Sequence, residues 1–168
     1  AGRVEALKGI DIAVRAFEKL PDKKLYVAGN GPMMEEMQRY VREHHMENVK
    51  FLGYLQKDEM SEKFYQAKAV IMTSQCYEAF AMTIAEAYSY GVPVIAGRVG
   101  NMDGMVQDGI TGVKFTYNSA EDLADKISAF DAMDLSVLKK NARAFYAERL
   151  RPEDNYQKLI RIYEDISK

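Results

Sequence analysis

The sequence predicts an α/β fold built on a doubly wound parallel sheet, and three observations predict it. Short apolar runs of strand type alternate with stretches of helical spacing along the chain, the pattern of a parallel sheet covered by helices on both faces. Turn residues at Gly2-Arg3, Gly29-Asn30-Gly31, Gly53-Tyr54, 74–78 and 97–100 fall at the carboxyl ends of expected strands, the edge where such sheets bind ligands. The 168 residues, 48% of them hydrophobic, suit one core and one domain.

The elements follow in order. Residues 10–20 carry Ile10, Val14, Phe17 and Leu20 at helical spacing. Residues 24–28 form a short β run closed by Gly29, and Pro32 suits the first turn of a helix running to about Met46. Residues 49–52 read as a strand, 58–66 as a helix and 69–73 as an apolar strand. A helix over 81–90 ends at Gly91, a buried strand covers 93–96, and 112–115 is a last short strand, with Ser119 or Glu121 opening the next helix. From about Leu123 the chain is helical and polar, without repeats. Pro152 starts a final helix whose stripe Tyr156, Leu159, Ile160 and Tyr163 is expected to pack on the core.

Composition narrows the function classes. A net charge of −2 gives no global reason to expect nucleic acid or a strongly anionic membrane as partner. No apolar run approaches the roughly 18–20 residues needed to cross a bilayer, and no signal peptide is visible. Cys76 is the only cysteine, so no intrachain disulfide forms, which fits a reducing compartment. It has no histidine near it in sequence to raise its thiolate fraction, so a half-buried loop residue is a better account than a nucleophile. The adjacent His44 and His45 lack a second ligand cluster and read as exposed helix residues, with no metal site.

The most informative stretch is Y-E-A-F-A-M-T-I-A-E-A-Y-S-Y-G-V-P-V-I-A at 77–96. It sets Glu78 in a loop and Glu86 on the helix that follows. N–H groups of a first helical turn attract phosphate, and carboxylates accept hydrogen bonds from sugar hydroxyls. The pair therefore suits a ligand anionic at one end and rich in hydroxyls at the other, as a nucleotide-sugar is. The neighbours Ile84, Ala85 and Ala87 predict a partly buried Glu86, which would need a partner. Gly29-Asn30-Gly31 does not continue as a dinucleotide fingerprint, because Met34 stands where the third glycine is needed; a tight strand-to-helix turn explains it better.

The segment S-Q-C-Y-E-A-F-A-M-T-I-A-E-A-Y-S-Y-G-V-P-V-I-A at 74–96 resembles the E-x7-E signature of the group 1 glycosyltransferases, which have the GT-B fold. Matching pieces stand in the family's usual order: G-R-V-E-A-L-K-G at 2–9, V-A-G-N-G-P at 27–32, V-K-F-L-G-Y at 49–54 and D-G-I-T-G-V-K-F at 108–115. The resemblance covers nearly the whole chain. It implies one Rossmann-like, donor-binding domain over 1–168, the C-terminal half of a two-domain enzyme. The N-terminal acceptor domain and the first strand are then expected to be missing, along with any native signal or anchor, and the last helix (152–168) can cross back to the absent half, which would leave part of its apolar stripe exposed. It further implies a retaining, metal-independent transferase without cofactor, and a UDP-, GDP- or ADP-sugar donor. Family habit points to polysaccharide or glycolipid assembly in the cytoplasm, with the full-length protein peripheral at the inner membrane face.

By the same resemblance Arg3 and Lys8, at R-x4-K, contact the donor diphosphate; without it they read as two solvated surface cations. Fixed cations stabilise a departing nucleoside diphosphate, Arg as a planar fork and Lys as a point charge. Backbone N–H groups of Phe80, Ala81, Met82 and Thr83 face phosphates and sugar, Glu78 the transferred sugar and Glu86 the ribose. Ala81 stands where the family has glycine, so its methyl is expected to narrow the pocket. Gly2, Gly29 and Gly31 border the ligand, and Gly53 and Tyr54 the nucleobase, where Tyr54 is either a stacking platform or an ordinary surface tyrosine. Residues 97–106 depart from the family pattern, with Asn101 in place of a second glycine and Gly104 in place of an acid, for which Asp103 is a partial substitute. Two alternatives stay open: a binding module of the same fold that has lost turnover, and a doubly wound domain of unrelated function such as a dinucleotide enzyme.

Overall fold

Local chemistry starts and stops each helix. The computed structural model describes residues 1–77 and 79–166. A 3-10 turn at Ala6–Lys8 runs through Gly9, in the left-handed region at φ 63°, into α1 (Ile10–Glu18). The Asn48 side chain donates to the carbonyls of Phe17 and Leu20, both at 2.9 Å, and closes α1. After β1 (Leu25–Ala28), α2 covers Met34–Glu43, and His45 at φ 52° ends it three residues short of the expected Met46. Pro32 lies in the turn before α2, outside its first turn.

β2 (Val49–Gly53) and α3 (Lys57–Gln66) follow, the latter opened by Gln56 N–H donating to Glu59 Oε2 at 2.7 Å. Next come β3 (Val70–Met72), α4 (Met82–Ser89) and β4 (Val94–Gly97). A short α5 (Gly100–Met105), absent from the sequence reading, precedes β5 (Gly112–Phe115). Ser119 Oγ accepts from Asp122 N–H at 3.1 Å to open α6 (Ala120–Phe130), and Asp134 caps α7 (Leu135–Arg149) in the same manner.

All strand pairs are parallel, as predicted, but they form two blocks instead of one sheet. β1 pairs with β2, Leu25 opposite Val49; β3, β4 and β5 form the second block in that order, Val70 opposite Val94 and Val94 opposite Gly112. One core joins Phe17 of α1, Met37 of α2 and Leu123 of α6 to Val27 and Val49. The other joins Phe64 of α3, Ile84 and Tyr88 of α4, Met102 of α5 and Ala142 of α7 to Val70 and Val94. Helices thus cover both faces.

The final helix, α8 (Pro152–Ile166), starts at the expected proline, but its stripe is not core: α8 buries no residue, and Tyr156, Leu159 and Tyr163 are exposed. Amphipathic spacing shows that one face favours cover; it does not say that this chain supplies it. Among the described residues no helix is long and apolar enough to cross a membrane.

Tyr88 pins α4 to the β5 side of the core. Its fully buried hydroxyl lies 2.7 Å from Thr111 Oγ1, and burial pushes the phenol from 10.0 up to about 12. The raised value means the unfolded chain ionises first, so this contribution to stability is complete below pH 10 and is lost as pH climbs towards about 12. Tyr88→Phe is expected to cost about 1–3 kcal/mol at neutral pH in chemical denaturation, since Thr111 loses a partner. Its melting temperature should also fall less between pH 9 and pH 11 (roughly the window set by the shift) than that of the unchanged chain.

Candidate functional site

The site begins with backbone approach. Gly2 N–H donates to the Ala28 carbonyl at 2.9 Å and Val4 N–H to the Asn30 carbonyl at 3.0 Å, so residues 2–4 run along the end of β1. A β-carbon at Gly29 would collide with the Gly2 carbonyl, and one at Gly31 with the Val4 backbone. The two glycines therefore serve this crossing, which is the tight-turn reading given a cause. Gly29 N–H in turn donates to the Gly53 carbonyl at 2.6 Å, which brings the Gly53 loop beside it.

A second crossing holds Lys8. A β-carbon on Gly9 would meet the Thr73 carbonyl oxygen, while Thr73 Oγ1 donates to the Lys8 carbonyl at 2.8 Å and Gln75 N–H to the Leu7 carbonyl at 2.8 Å. Tyr117 Oη donates to the Gln75 carbonyl at 3.1 Å from the far side of this loop. Arg3 Nε lies 3.3 Å from Glu5 Oε2, an ion pair between an exposed guanidinium and a half-buried carboxylate.

Helix α4 supplies the third wall. Ala81 precedes it and is buried with Ile84, Ala85, Ala87 and Tyr88, which leaves Met82 and Glu86 exposed one turn apart, with Thr83 half-buried beside them. Two expectations are corrected here. The Ala81 methyl packs into the core instead of narrowing a cleft, and Glu86 is exposed, because sequence neighbours point about 100° away from it on a helix. A third concerns the first-turn donors: Met82 N–H turns back to the Phe80 carbonyl at 3.0 Å, which withdraws it from an anion-binding set.

Gly2, Arg3, Lys8, Ser74 and Thr83 line one continuous cavity, so the two cations and the head of α4 share a mouth. Glu86 acts electrostatically on the Ala1 amino group, which places its charge on the same side. Phe80 is exposed near this mouth's helix, and Tyr54, 71% exposed, stands outside the cavity lining. Glu78 lies outside the described residues. Cys76 is a free, half-buried thiol, and His44 Nδ1 pairs with Glu18 Oε1 at 2.6 Å on the surface. Among the described residues no group of three His, Cys, Asp or Glu is placed to hold a metal.

Sequence reasoning missed one positioning residue. Asn101 donates its side-chain N–H to the Ala79 carbonyl and Gly100 packs on the Tyr77 ring, so the departing segment clasps the loop that leads into α4. Neighbouring Asp103 is engaged by Lys114 Nζ at 2.9 Å, and nothing stands within 4 Å of a β-carbon built on Gly104.

Comparison with known proteins follows the same lines. The family model described as glycosyl transferases group 1 matches residues 1–144. The sulfoquinovosyl transferase of Arabidopsis thaliana is 29% identical over 147 residues, covering 84% of this chain and 28% of that protein. The sucrose-phosphate synthase of Thermosynechococcus elongatus superposes with a TM-score of 0.87 at 26% identity, over 99% of this chain and 44% of the other. Anabaena HepE, crystallised with UDP, superposes with a TM-score of 0.89 over 98% of this chain and 47% of its own; at 23% identity that likeness is one of fold. The chain spans less than half the length of each of these proteins.

Asn101→Ala is expected to speed amide exchange at Phe80 and Ala81 by about fivefold or more, with a global cost of only ~1 kcal/mol, because one exposed hydrogen bond tethers that loop. Asn101→Asp, which cannot donate, should behave alike; unchanged exchange in both would show that the clasp holds nothing.

Proposed function

Because the chain belongs to the glycosyl transferases group 1 family, we propose that it is the donor-binding half of a retaining, metal-independent enzyme. That enzyme moves a sugar from a nucleoside diphosphate to an acceptor glycan or lipid. The observation that carries the reading is the mouth shared by Arg3, Lys8 and Thr83. Departure of a nucleoside diphosphate builds negative charge on phosphate oxygens, and fixed cations beside a helix N-terminus stabilise that charge without reorganising. Arg3 pairs with Glu5 at Nε and has an exposed guanidinium, a planar group suited to fork onto phosphate. Lys8 adds a point charge held by its pinned backbone.

Glu86, on the open stripe of α4, accepts hydrogen bonds from the ribose hydroxyls; its exposure means that no charge is buried unpaired before a ligand arrives. Glu78 takes hydroxyls of the transferred sugar, a role that rests on the sequence motif. Gly53 and Tyr54 border the base, and the open face of Tyr54 is available for stacking. UDP is the favoured diphosphate because HepE, of like fold, was crystallised with it. Acceptor contacts belong to the remaining polypeptide, so these 168 residues alone are expected to bind nucleotide and transfer sugar hardly at all. A module without turnover is the second reading. Gly104 favours it: the acid of the family is absent and Asp103 is taken up by Lys114.

Calorimetric titration with UDP, GDP, ADP and their sugars tests the first reading. UDP is expected to bind, and Arg3→Ala or Lys8→Ala to weaken it roughly 10- to 100-fold each, the worth of ~1.5–3 kcal/mol for a charge-assisted hydrogen bond. No heat for any nucleotide, with an unchanged melting temperature, would sink it. In the intact polypeptide, sugar transfer should persist in excess EDTA; nucleotide binding with neither hydrolysis nor transfer would select the module instead.

A further inference from the structure

Helix α5 clasps the loop that leads into α4, yet little within α5 fixes how it sits. It has six residues, two of them glycine, well short of the roughly 12–15 that let a helix persist alone. Met102 and Met105 bury one side of it in the second core. Methionine is unbranched and adapts to irregular space, so these contacts set the depth of α5 better than its rotation. The rotation matters, because Asn101 must point at the Ala79 carbonyl.

Lys114 of β5 fixes it. Its ammonium donates to the Asp103 carbonyl at 2.6 Å and to Asp103 Oδ1 at 2.9 Å, so it grips the backbone and the side chain of one residue. A second cation, Arg98, stands 3.9 Å from Asp103 with its side chain 50% exposed, against 13% for Lys114. A sheltered, short charge-assisted bond outweighs a solvated contact at longer range, so Lys114 is the stronger hold. Arg98 turns to Asp108 at 2.9 Å, and the other oxygen of Asp108 accepts the Lys114 N–H at 2.9 Å. One aspartate thus fixes the Lys114 backbone and leaves its side chain to the other. The Asp103 carboxylate, the sequence's partial substitute for the acid absent at Gly104, is therefore engaged from β5.

We propose that Lys114 is a positioning residue for the donor, acting through Asp103 and Asn101 on Ala79 and the head of α4. Asn101 lies two residues from Asp103, and Gly100, next to it, packs on the Tyr77 ring, so a rotation of α5 moves both contacts together. The diphosphate cations are held elsewhere: Arg3 rides on the crossing at the end of β1, and Lys8 is tied to Thr73 just after β3. Loss of Lys114 therefore falls on the sugar end of the donor and spares the diphosphate end. That assignment of ends rests on the function proposed above; the mechanical route from β5 to α4 does not.

Amide exchange at Phe80 and Ala81, with calorimetric titration of UDP and UDP-glucose, tests both parts in Lys114→Met, Asn101→Ala and the double variant. Lys114→Met is expected to speed that exchange about fivefold or more, as Asn101→Ala does, and the double variant to add less than about twofold, since both changes cut one route. UDP should bind within about twofold of the unchanged chain, while affinity for UDP-glucose relative to UDP falls about threefold or more. Unchanged exchange in Lys114→Met, or effects that multiply in the double variant, would overturn the proposal. So would equal weakening of UDP and UDP-glucose, the mark of a purely structural lysine. Should Lys114→Met fail to fold, Asp103→Ala, at a more exposed position, takes its place in every arm. A chain that binds no nucleotide at all refutes the function proposed above, and exchange at Phe80 and Ala81 still decides the route from Lys114.

Discussion

The carboxyl edge of this domain depends on two backbone crossings with no space for a side chain. Residues 2–4 lie on the Gly29-Asn30-Gly31 turn, and Gly9 lies on the Thr73 carbonyl. Each crossing fixes one cation: Arg3 rides on the first, and Lys8 is tied into the second by its own carbonyl. The Ala6–Lys8 turn between them sets their separation. The R-x4-K spacing is therefore a property of where two loops are pinned, and the glycines contribute by the side chains they lack. Any β-carbon at Gly9, Gly29 or Gly31 would displace backbone, which cannot yield as a flexible side chain can.

Helix α4 shows the same division between holding and presenting. Its buried arc from Ala81 through Tyr88 sits in the second core, and the Tyr88 hydroxyl anchors it to Thr111. The remaining stripe, with Thr83 at the mouth and Glu86 one turn further, is what the helix offers a ligand. An alanine at the helix head is compatible with this arrangement because its methyl belongs to the buried arc. The departure from glycine at that position changes the core side of the turn and leaves the open side as it was.

Much of this was legible in the sequence, and the failures have physical causes. Strands covered on both faces read as continuous apolar runs, so β1 to β5 were found within a residue or two. Helix α5, G-N-M-D-G-M, was missed because six residues with two glycines carry no periodic signal. Strand order and the division of the sheet into two blocks depend on non-local pairing, which no single segment of the sequence displays. Exposure of Glu86 was misjudged from its neighbours along the chain, when helical geometry makes residues three and four away the relevant ones. Asn101 was read as a departure; its partner, the Ala79 carbonyl, lies 22 residues away and no local pattern announces it. The α8 stripe is core by periodicity and partly exposed by the family resemblance, and the second expectation is the one that holds in this chain.

One local competition is decided by magnitude. Arg3 already has an anion beside it, and a strong Arg3–Glu5 pair would oppose a phosphate. The guanidinium is exposed, however, and ion pairs in such settings are worth about 0.2–1 kcal/mol. A charge-assisted bond to a phosphate oxygen contributes roughly 1.5–3 kcal/mol, and the fork can make two. Glu5 is therefore too weak a partner to keep Arg3 from an arriving diphosphate, yet it is close enough to orient the guanidinium plane.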